Sequence, residues 1–130
     1  MPLALGPIGQ IARGVADVDR AEAFYGGVLG LRKLFRFGDL TFFDCAGVRL
    51  MIEKVTASKP AGESVIYFRV ADIALAVKEL AARGVIFDDT PHLIARMEDH
   101  DLWMTFFKDP DGHILALMQE APKGYQPPAA

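Results

Sequence analysis

The side chains best suited to chemistry lie in one segment between Gly84 and Phe106. This segment contains two of the three histidines and two neighbouring acids: His92, Glu98, Asp99 and His100. Imidazole nitrogens and carboxylate oxygens are common ligands of divalent transition metals. The run at 98–101, Glu-Asp-His-Asp, is equally typical of a solvated acidic turn. The pattern therefore leaves two interpretations open, a metal-binding hairpin and a charged surface turn.

The segment belongs to the second of two copies of a repeated unit. Val-Ala-Asp-Val at 15–18 recurs as Val-Ala-Asp-Ile at 70–73, and the Phe-Phe pair at 42–43 recurs at 106–107. The matching segments keep the same order in both copies. The second copy is longer because of an inserted segment between Gly84 and Phe106. Because a unit of this size usually cannot cover its own apolar face, we expect the copies to pack into one body with the function at the join.

Each copy is predicted to run strand, helix and then three strands. Asp17 or Asp19 caps the first helix and Asp72 the second, which ends at Gly84. The last hairpin turns at 109–112, Asp-Pro-Asp-Gly, because proline presets the first turn angle and glycine accepts the left-handed one. Strands are predicted at 8–15, 31–37, 40–45, 48–54 and 65–70. We expect one domain over 1–130, with modules at 8–55 and 64–119 and a loose tail at 120–130.

Composition narrows the class of partner. Fourteen basic residues against seventeen acidic ones, without a basic run, leave little to neutralise a phosphate backbone, so we expect neither nucleic acid nor membrane as partner. No apolar run approaches the roughly 18 residues that span a bilayer. The single cysteine, Cys45, forms no intrachain disulfide and is typical of a cytoplasmic protein. A small-molecule ligand is the expected partner.

Two such units, the segment 15–25 and the turn 109–112 together resemble the vicinal oxygen chelate superfamily. This group includes glyoxalase I, bleomycin-resistance proteins, methylmalonyl-CoA epimerase and extradiol dioxygenases, and the resemblance covers residues 8–119. It implies an α+β fold in which two tandem βαβββ modules form a cup-shaped mixed sheet with helices on the outer face. It also implies a homodimer.

The resemblance places four metal-ligand positions in this chain. Those of the two first strands are Gln10 and Val65, and those of the two last strands are Met51 and Ala116. The resemblance implies a glutamate at the Ala116 position in the metal-dependent members. Glu53 lies two residues after Met51 and points the same way. A catalytic divalent ion normally needs three protein ligands, and only Gln10 and Glu53 offer oxygen donors. We therefore predict no metal and no cofactor.

The pairing across the last hairpin decides which residues face the cup. If Lys108 pairs with His113, alternation turns Trp103 and Thr105 into the cup, away from the helices. An apolar concave face with few polar groups is typical of a small-molecule pocket, although Trp103 taken alone is ordinary core. The predicted ligand-binding residues are Gln10, Met51, Glu53, Tyr67, Trp103, Thr105 and Met118. No catalytic residue is assigned.

Two charged pairs are predicted near this face. Asp44 and Arg49 form a cross-strand ion pair beside a turn, a kind worth under about 1 kcal/mol when exposed. Glu53, in apolar surroundings, needs Arg69 or a ligand to favour its charged form.

Four functions stay open at this point. The first is a protein that binds a small, largely apolar or aromatic molecule without a metal, similar to bleomycin-resistance members. The second is a metal-dependent lyase or isomerase of glyoxalase or epimerase type, with Gln10, Glu53 and His92 or His100 from the inserted hairpin as ligands. An extradiol dioxygenase is disfavoured because neither first-strand position is a histidine. A structural or regulatory domain is the fourth.

Overall fold

The structure is a computed structural model that describes residues 8, 10–56 and 64–128. It is an α+β fold of two tandem βαβββ modules, as predicted, and the chain divides into two compact units between Gly62 and Glu63. The first unit contains β1 Gln10–Val15, α1 Val18–Glu22, a π-helix Ala23–Val28, β2 Arg32–Phe37, β3 Leu40–Cys45 and β4 Val48–Lys54. The second contains β5 Ile66–Arg69, α2 Ile73–Ala82, β6 His92–Arg96, β7 Asp101–Lys108 and β8 Ile114–Ala121.

Each unit forms its own four-stranded mixed sheet. The strand orders are β1-β4-β3-β2 and β5-β8-β7-β6, in which only the β1/β4 and β5/β8 pairs are parallel. The predicted repeat is visible in the register. Phe43 lies opposite Leu50 in the first sheet, and Phe107 lies opposite Leu115 in the second. All four side chains are buried, so equivalent positions of the two copies form the two cores.

Both helices begin at the predicted aspartates. The Asp17 carboxylate accepts a hydrogen bond from the Arg20 N–H at 3.0 Å, and the Asp72 carboxylate accepts one from the Leu75 N–H at 3.1 Å. Each carboxylate therefore satisfies an amide that the first helical turn leaves without a partner. Asp17, and not Asp19, is the cap of the first helix. Within the described residues, neither helix has the length and hydropathy of a membrane span.

A charged cluster attaches the first helix to the sheet edge. Glu22 accepts hydrogen bonds from Arg36 at 2.8 Å and from the Thr41 hydroxyl at 3.3 Å, and its carboxylate lies 2.5 Å from the Lys33 ammonium. The hydrogen bond from Lys33, with a smaller contribution from Arg36, holds the pKa of Glu22 below its ordinary value. These contacts connect α1 to β2 and β3.

Residues of the predicted loose tail are attached to the second unit. β8 extends to the buried Ala121, and the Asp101 carboxylate accepts a hydrogen bond from the Gly124 N–H at 2.9 Å. That hydrogen bond lowers the pKa of Asp101 although burial opposes the shift. Asp101 is therefore a buried anchor and not part of a solvated turn, whereas Glu98 and Asp99 are exposed as predicted.

The π-helix in the first unit brings Gly26 close to the core. A Cβ at this position would lie 3.1 Å from Cε1 of the fully buried Phe43, whereas one at Gly27 would meet nothing within 4 Å. The buried Phe43 ring would have to shift by a few tenths of an ångström, so Gly26→Ala is expected to be less stable than Gly27→Ala by about 1 kcal/mol, the lower end of the cost of overpacking a core. Urea unfolding of both variants measures the difference. Equal stability of the two variants would contradict this packing.

Candidate functional site

The pairing across the last hairpin differs by one residue from the prediction. Lys108 pairs with Ile114, and Thr105 pairs with Leu117. The cause lies in the turn, where the Asp109 carboxylate accepts hydrogen bonds from the N–H groups of Asp111 and His113, both at 2.9 Å. His113 is thereby held in the turn and strand pairing starts one residue later. The predicted Lys108–His113 pairing is wrong.

This shift moves Trp103 and Thr105 to the helix-covered side of the second sheet. Trp103 pairs with Gln119, whose side-chain oxygen accepts a hydrogen bond from the N–H of Ile73, the first residue of α2. The Trp103 ring is 8% exposed and packs edge-on against Tyr125 at 6.1 Å. Thr105 is fully buried and donates a hydrogen bond to the Asp89 carboxylate at 2.6 Å. The predicted positions of Trp103 and Thr105 on the open face are wrong, and both are core residues.

The open face of the first sheet consists of three cross-strand rows. The middle row is apolar. A polar row lies on one side of it, and a row that contains Glu53 lies on the other side. Register partners across the strands define the rows as Phe35–Phe42–Met51–Ala12, Arg32–Asp44–Arg49–Gln10 and Phe37–Leu40–Glu53–Gly14. Gln10, Met51 and Glu53 therefore lie on the predicted face. Their role in ligand binding stays a prediction.

The aromatic residues of this face were missed by the sequence analysis. Phe35 stacks on Phe42 with ring centroids 4.4 Å apart, and the Phe35 ring is 47% exposed. A bulge in β2 between Lys33 and Phe35 turns Phe35 onto this face. Alternation from Met51 could have indicated Phe42, whereas no pattern in the sequence marks the bulge. The face therefore offers an exposed ring to a ligand.

Gln10 and Arg49 form a fixed pair beside these rings. The Arg49 Nε donates a hydrogen bond of 2.9 Å to the amide oxygen of Gln10, and its guanidinium lies 5.7 Å from the Phe42 ring centre. Both contacts orient the cation. Asp44 instead accepts from the Gly47 N–H at 3.2 Å, so the hydrogen bond to Gln10 takes the place of the predicted Asp44–Arg49 ion pair.

The open face of the second sheet also carries aromatic rings. Tyr67 and Phe106 meet edge-to-face at 6.3 Å, and His92 lies 6.1 Å from Phe106. Met118 pairs with Arg69 and so shares the face with Tyr67, as predicted. Arg69 forms an ion pair with Glu120 at 2.9 Å. The cation that was considered as a partner for Glu53 therefore pairs with a different carboxylate.

Ala116 lies directly between Tyr67 and Phe106 in the register of the second sheet. Neighbouring strands are about 4.8 Å apart, so side chains two strands apart start nearly 10 Å from each other. The ring centres of Tyr67 and Phe106 are closer than that, because both rings lean over β8. Ala116 is fully buried. The two rings therefore close the position where metal-dependent relatives would place a glutamate.

Neither histidine of the inserted segment takes part in a cluster of metal donors. His92 donates from Nδ1 to the Thr90 carbonyl at 3.0 Å, and His100 pairs with the exposed Asp99 at 2.8 Å. Over residues 10–56 and 64–128, no group of three or more His, Cys, Asp or Glu side chains could hold a metal ion. These histidines are surface and hydrogen-bonding residues.

The donor set does not fit the metal site of the resembled enzymes. Val65 and Ala116 are hydrocarbon side chains, and the amide oxygen of Gln10 is already an acceptor for the Arg49 cation. Gln10 pairs with Arg49 and Glu53 pairs with Gly14, so the two oxygen donors are four residues apart along parallel strands, roughly 13 Å. A guanidinium beside the first donor also repels a divalent cation.

Comparison with known proteins identifies the fold. Residues 7–117 match the family model described as the Glyoxalase/Bleomycin resistance protein/Dioxygenase superfamily. A lactoylglutathione lyase from Agrobacterium tumefaciens is 21% identical with a TM-score of 0.73, covering 93% of this chain and 98% of that one. An integron cassette protein from the V. cholerae mobile metagenome is 16% identical with a TM-score of 0.79, covering 93% and 100%.

An antibiotic binding protein from Streptomyces sp. is similar to the same extent. It is 20% identical with a TM-score of 0.73, and the match covers 92% of this chain and all of that one. At these identities the three likenesses concern the fold.

Proposed function

This chain belongs to the Glyoxalase/Bleomycin resistance protein/Dioxygenase superfamily, and from that premise we propose that it binds a small, largely apolar or aromatic molecule without a metal. The proposal depends on the position of Ala116, which is buried between Tyr67 and Phe106. The metal enzymes of the family would place a metal-coordinating side chain there. One relative by fold is named as an antibiotic binding protein, which is the type of function proposed here.

The open sheet faces supply the contacts for such a ligand. Phe35 and Tyr67 expose about half of their surfaces, 47% and 48%, although sheet residues of this size are usually buried. Met51 and Met118 lie beside these rings, and methionine adapts to ligands of different shape. We assign Gln10, Met51, Glu53, Tyr67 and Met118 to the binding surfaces, together with Phe35 and Phe106, and leave out Trp103 and Thr105.

Fluorescence titration with N-phenyl-1-naphthylamine, a neutral apolar probe, tests this proposal. The wild-type protein is expected to bind the probe, and Phe35→Ala or Tyr67→Ala is expected to weaken binding at its own sheet about tenfold, since each removes a contact ring. Leu75→Ala is the control, because Leu75 is 51% exposed but lies on α2. Absence of binding, or equal loss in all three variants, would overturn the proposal.

A further inference from the structure

We infer that the ligand of the first sheet is an aromatic carboxylic acid, with its ring on Phe35 and its carboxylate at Arg49. This inference rests on the proposed function and narrows its ligand class. The position of the Arg49 guanidinium is the main support for an aromatic acid. Arg49 is exposed, yet its Nε is held by Gln10 and its guanidinium lies over Phe42, so the cation is oriented before any ligand arrives.

The charges of the face favour an anion on one side only. The polar row contains Arg32 and Arg49 against the single acid Asp44, a net positive charge. The Asp44 carboxylate accepts a hydrogen bond from the Gly47 N–H, which directs part of its charge toward the turn. Glu53, on the opposite side of the apolar row, repels an anion. A carboxylate therefore points toward Arg49, and arginine recognises it through paired N–H groups.

The distances limit the length of the ligand. The Phe35 and Phe42 ring centres are 4.4 Å apart, and the Arg49 guanidinium carbon is 5.7 Å from the Phe42 ring centre. The Phe35 ring and the Arg49 cation are therefore separated by no more than the sum of these two distances. Two fused aromatic rings with a carboxylate at one end can contact both within that limit.

The inference also gives Gln10 a role. Its amide oxygen accepts from the Arg49 Nε, and its amide nitrogen lies 3.9 Å from the Met51 sulfur. Gln10 thus connects the polar row to the apolar row and acts as a positioning residue for Arg49. Gln10 stands at one of the four ligand positions that the family resemblance assigns, and here it holds the Arg49 cation.

Isothermal titration calorimetry with 2-naphthoate and its neutral amide, 2-naphthamide, tests the inference at pH 7. The wild-type protein is expected to bind naphthoate about tenfold tighter than naphthamide, because a hydrogen-bonded charge adds to the same ring contact. Arg49→Met should bring the affinity for naphthoate to that for the amide. Gln10→Glu, which pairs with and neutralises Arg49, should also abolish the preference. Arg96→Met, with the same loss of charge in the second unit, should keep it.

The outcomes separate this inference from the proposed function. Equal affinity of the two compounds in the wild-type protein would overturn the aromatic acid and leave the apolar ligand standing. Binding of neither compound, together with no binding of the neutral probe, would overturn the proposed function itself. A preference for naphthoate that survives in Arg49→Met would place the anion elsewhere and overturn the role of Arg49. The wild-type comparison requires no variant to fold.

Discussion

Trp103→Ala is expected to lower the free energy of unfolding by about 3–5 kcal/mol, the usual cost of removing a large buried aromatic side chain. Trp103 is 8% exposed and packs against Tyr125 on the helix-covered side of the second sheet. Urea unfolding followed by circular dichroism measures the change. A loss below about 1 kcal/mol would place the ring outside the core.

Trp103→Phe separates packing from ligand binding. The indole N–H is buried without a hydrogen-bond partner, so its removal costs no hydrogen bond and most of the ring contact with Tyr125 is kept. This variant should be more stable than Trp103→Ala and should bind N-phenyl-1-naphthylamine as the wild type does. If Trp103→Phe folds normally but loses the probe, Trp103 faces the ligand and the register described here is wrong.

Ala116→Glu, which restores the glutamate of the metal-dependent relatives, is expected to destabilise the protein by about 3 kcal/mol. A carboxylate at this fully buried position loses its hydration, and its longer side chain displaces the Tyr67–Phe106 pair. Thermal unfolding at pH 7 measures the loss. Addition of Zn²⁺ or Ni²⁺ should not restore the lost stability, because Val65 and Gln10 add no free donor for the metal.

Met118→Glu is the matched control for this substitution. Met118 lies two residues further along β8 on the same face, is only half-buried, and pairs with Arg69. A glutamate there keeps part of its hydration and has a cation beside it, so the loss should stay below about 1 kcal/mol. If both variants are equally stable, or if a metal stabilises Ala116→Glu, the Tyr67 and Phe106 rings do not close the position of Ala116.

The order of elements could be predicted because it depends on local signals. The aspartates before both helices, glycines at turns and alternating strands give the βαβββ pattern without knowledge of tertiary contacts. β3 and β4 coincide with the predicted ranges. The π-helix was not predicted, because the apolar positions of residues 21–29 fit an ordinary α-helix and nothing in their spacing marks the wider turn.

The faces of the last hairpin could not be predicted from alternation alone. Two hydrogen bonds to the Asp109 carboxylate decide whether strand pairing starts at His113 or Ile114, and a shift of one residue reverses every side chain of β7. The shift exchanges Trp103 for Met104 and Thr105 for Phe106 on the open face. The shift changes the facing of β7 and not of β8, so the β8 residue Met118 keeps its predicted face.

The candidate site was predicted in part for a related reason. Gln10, Met51 and Glu53 follow from the resemblance and from period-two alternation. Arg49 was assigned to an ion pair with Asp44 because cross-strand neighbours of opposite charge usually pair. The choice between Asp44 and Gln10 as its partner depends on side-chain geometry beside a turn, which residue types do not encode.

Binding of N-phenyl-1-naphthylamine to purified protein before and after dialysis against a chelator tests whether ligand binding by this protein requires a metal. Metal content is determined on the same samples by mass spectrometry. We expect unchanged probe affinity and less than a tenth of an equivalent of Zn, Ni, Fe or Mn, because the family's four ligand positions hold two hydrocarbon side chains, the thioether of Met51 and the engaged amide of Gln10. One equivalent of metal per chain, with probe binding that disappears on chelation and returns with the metal, would contradict it.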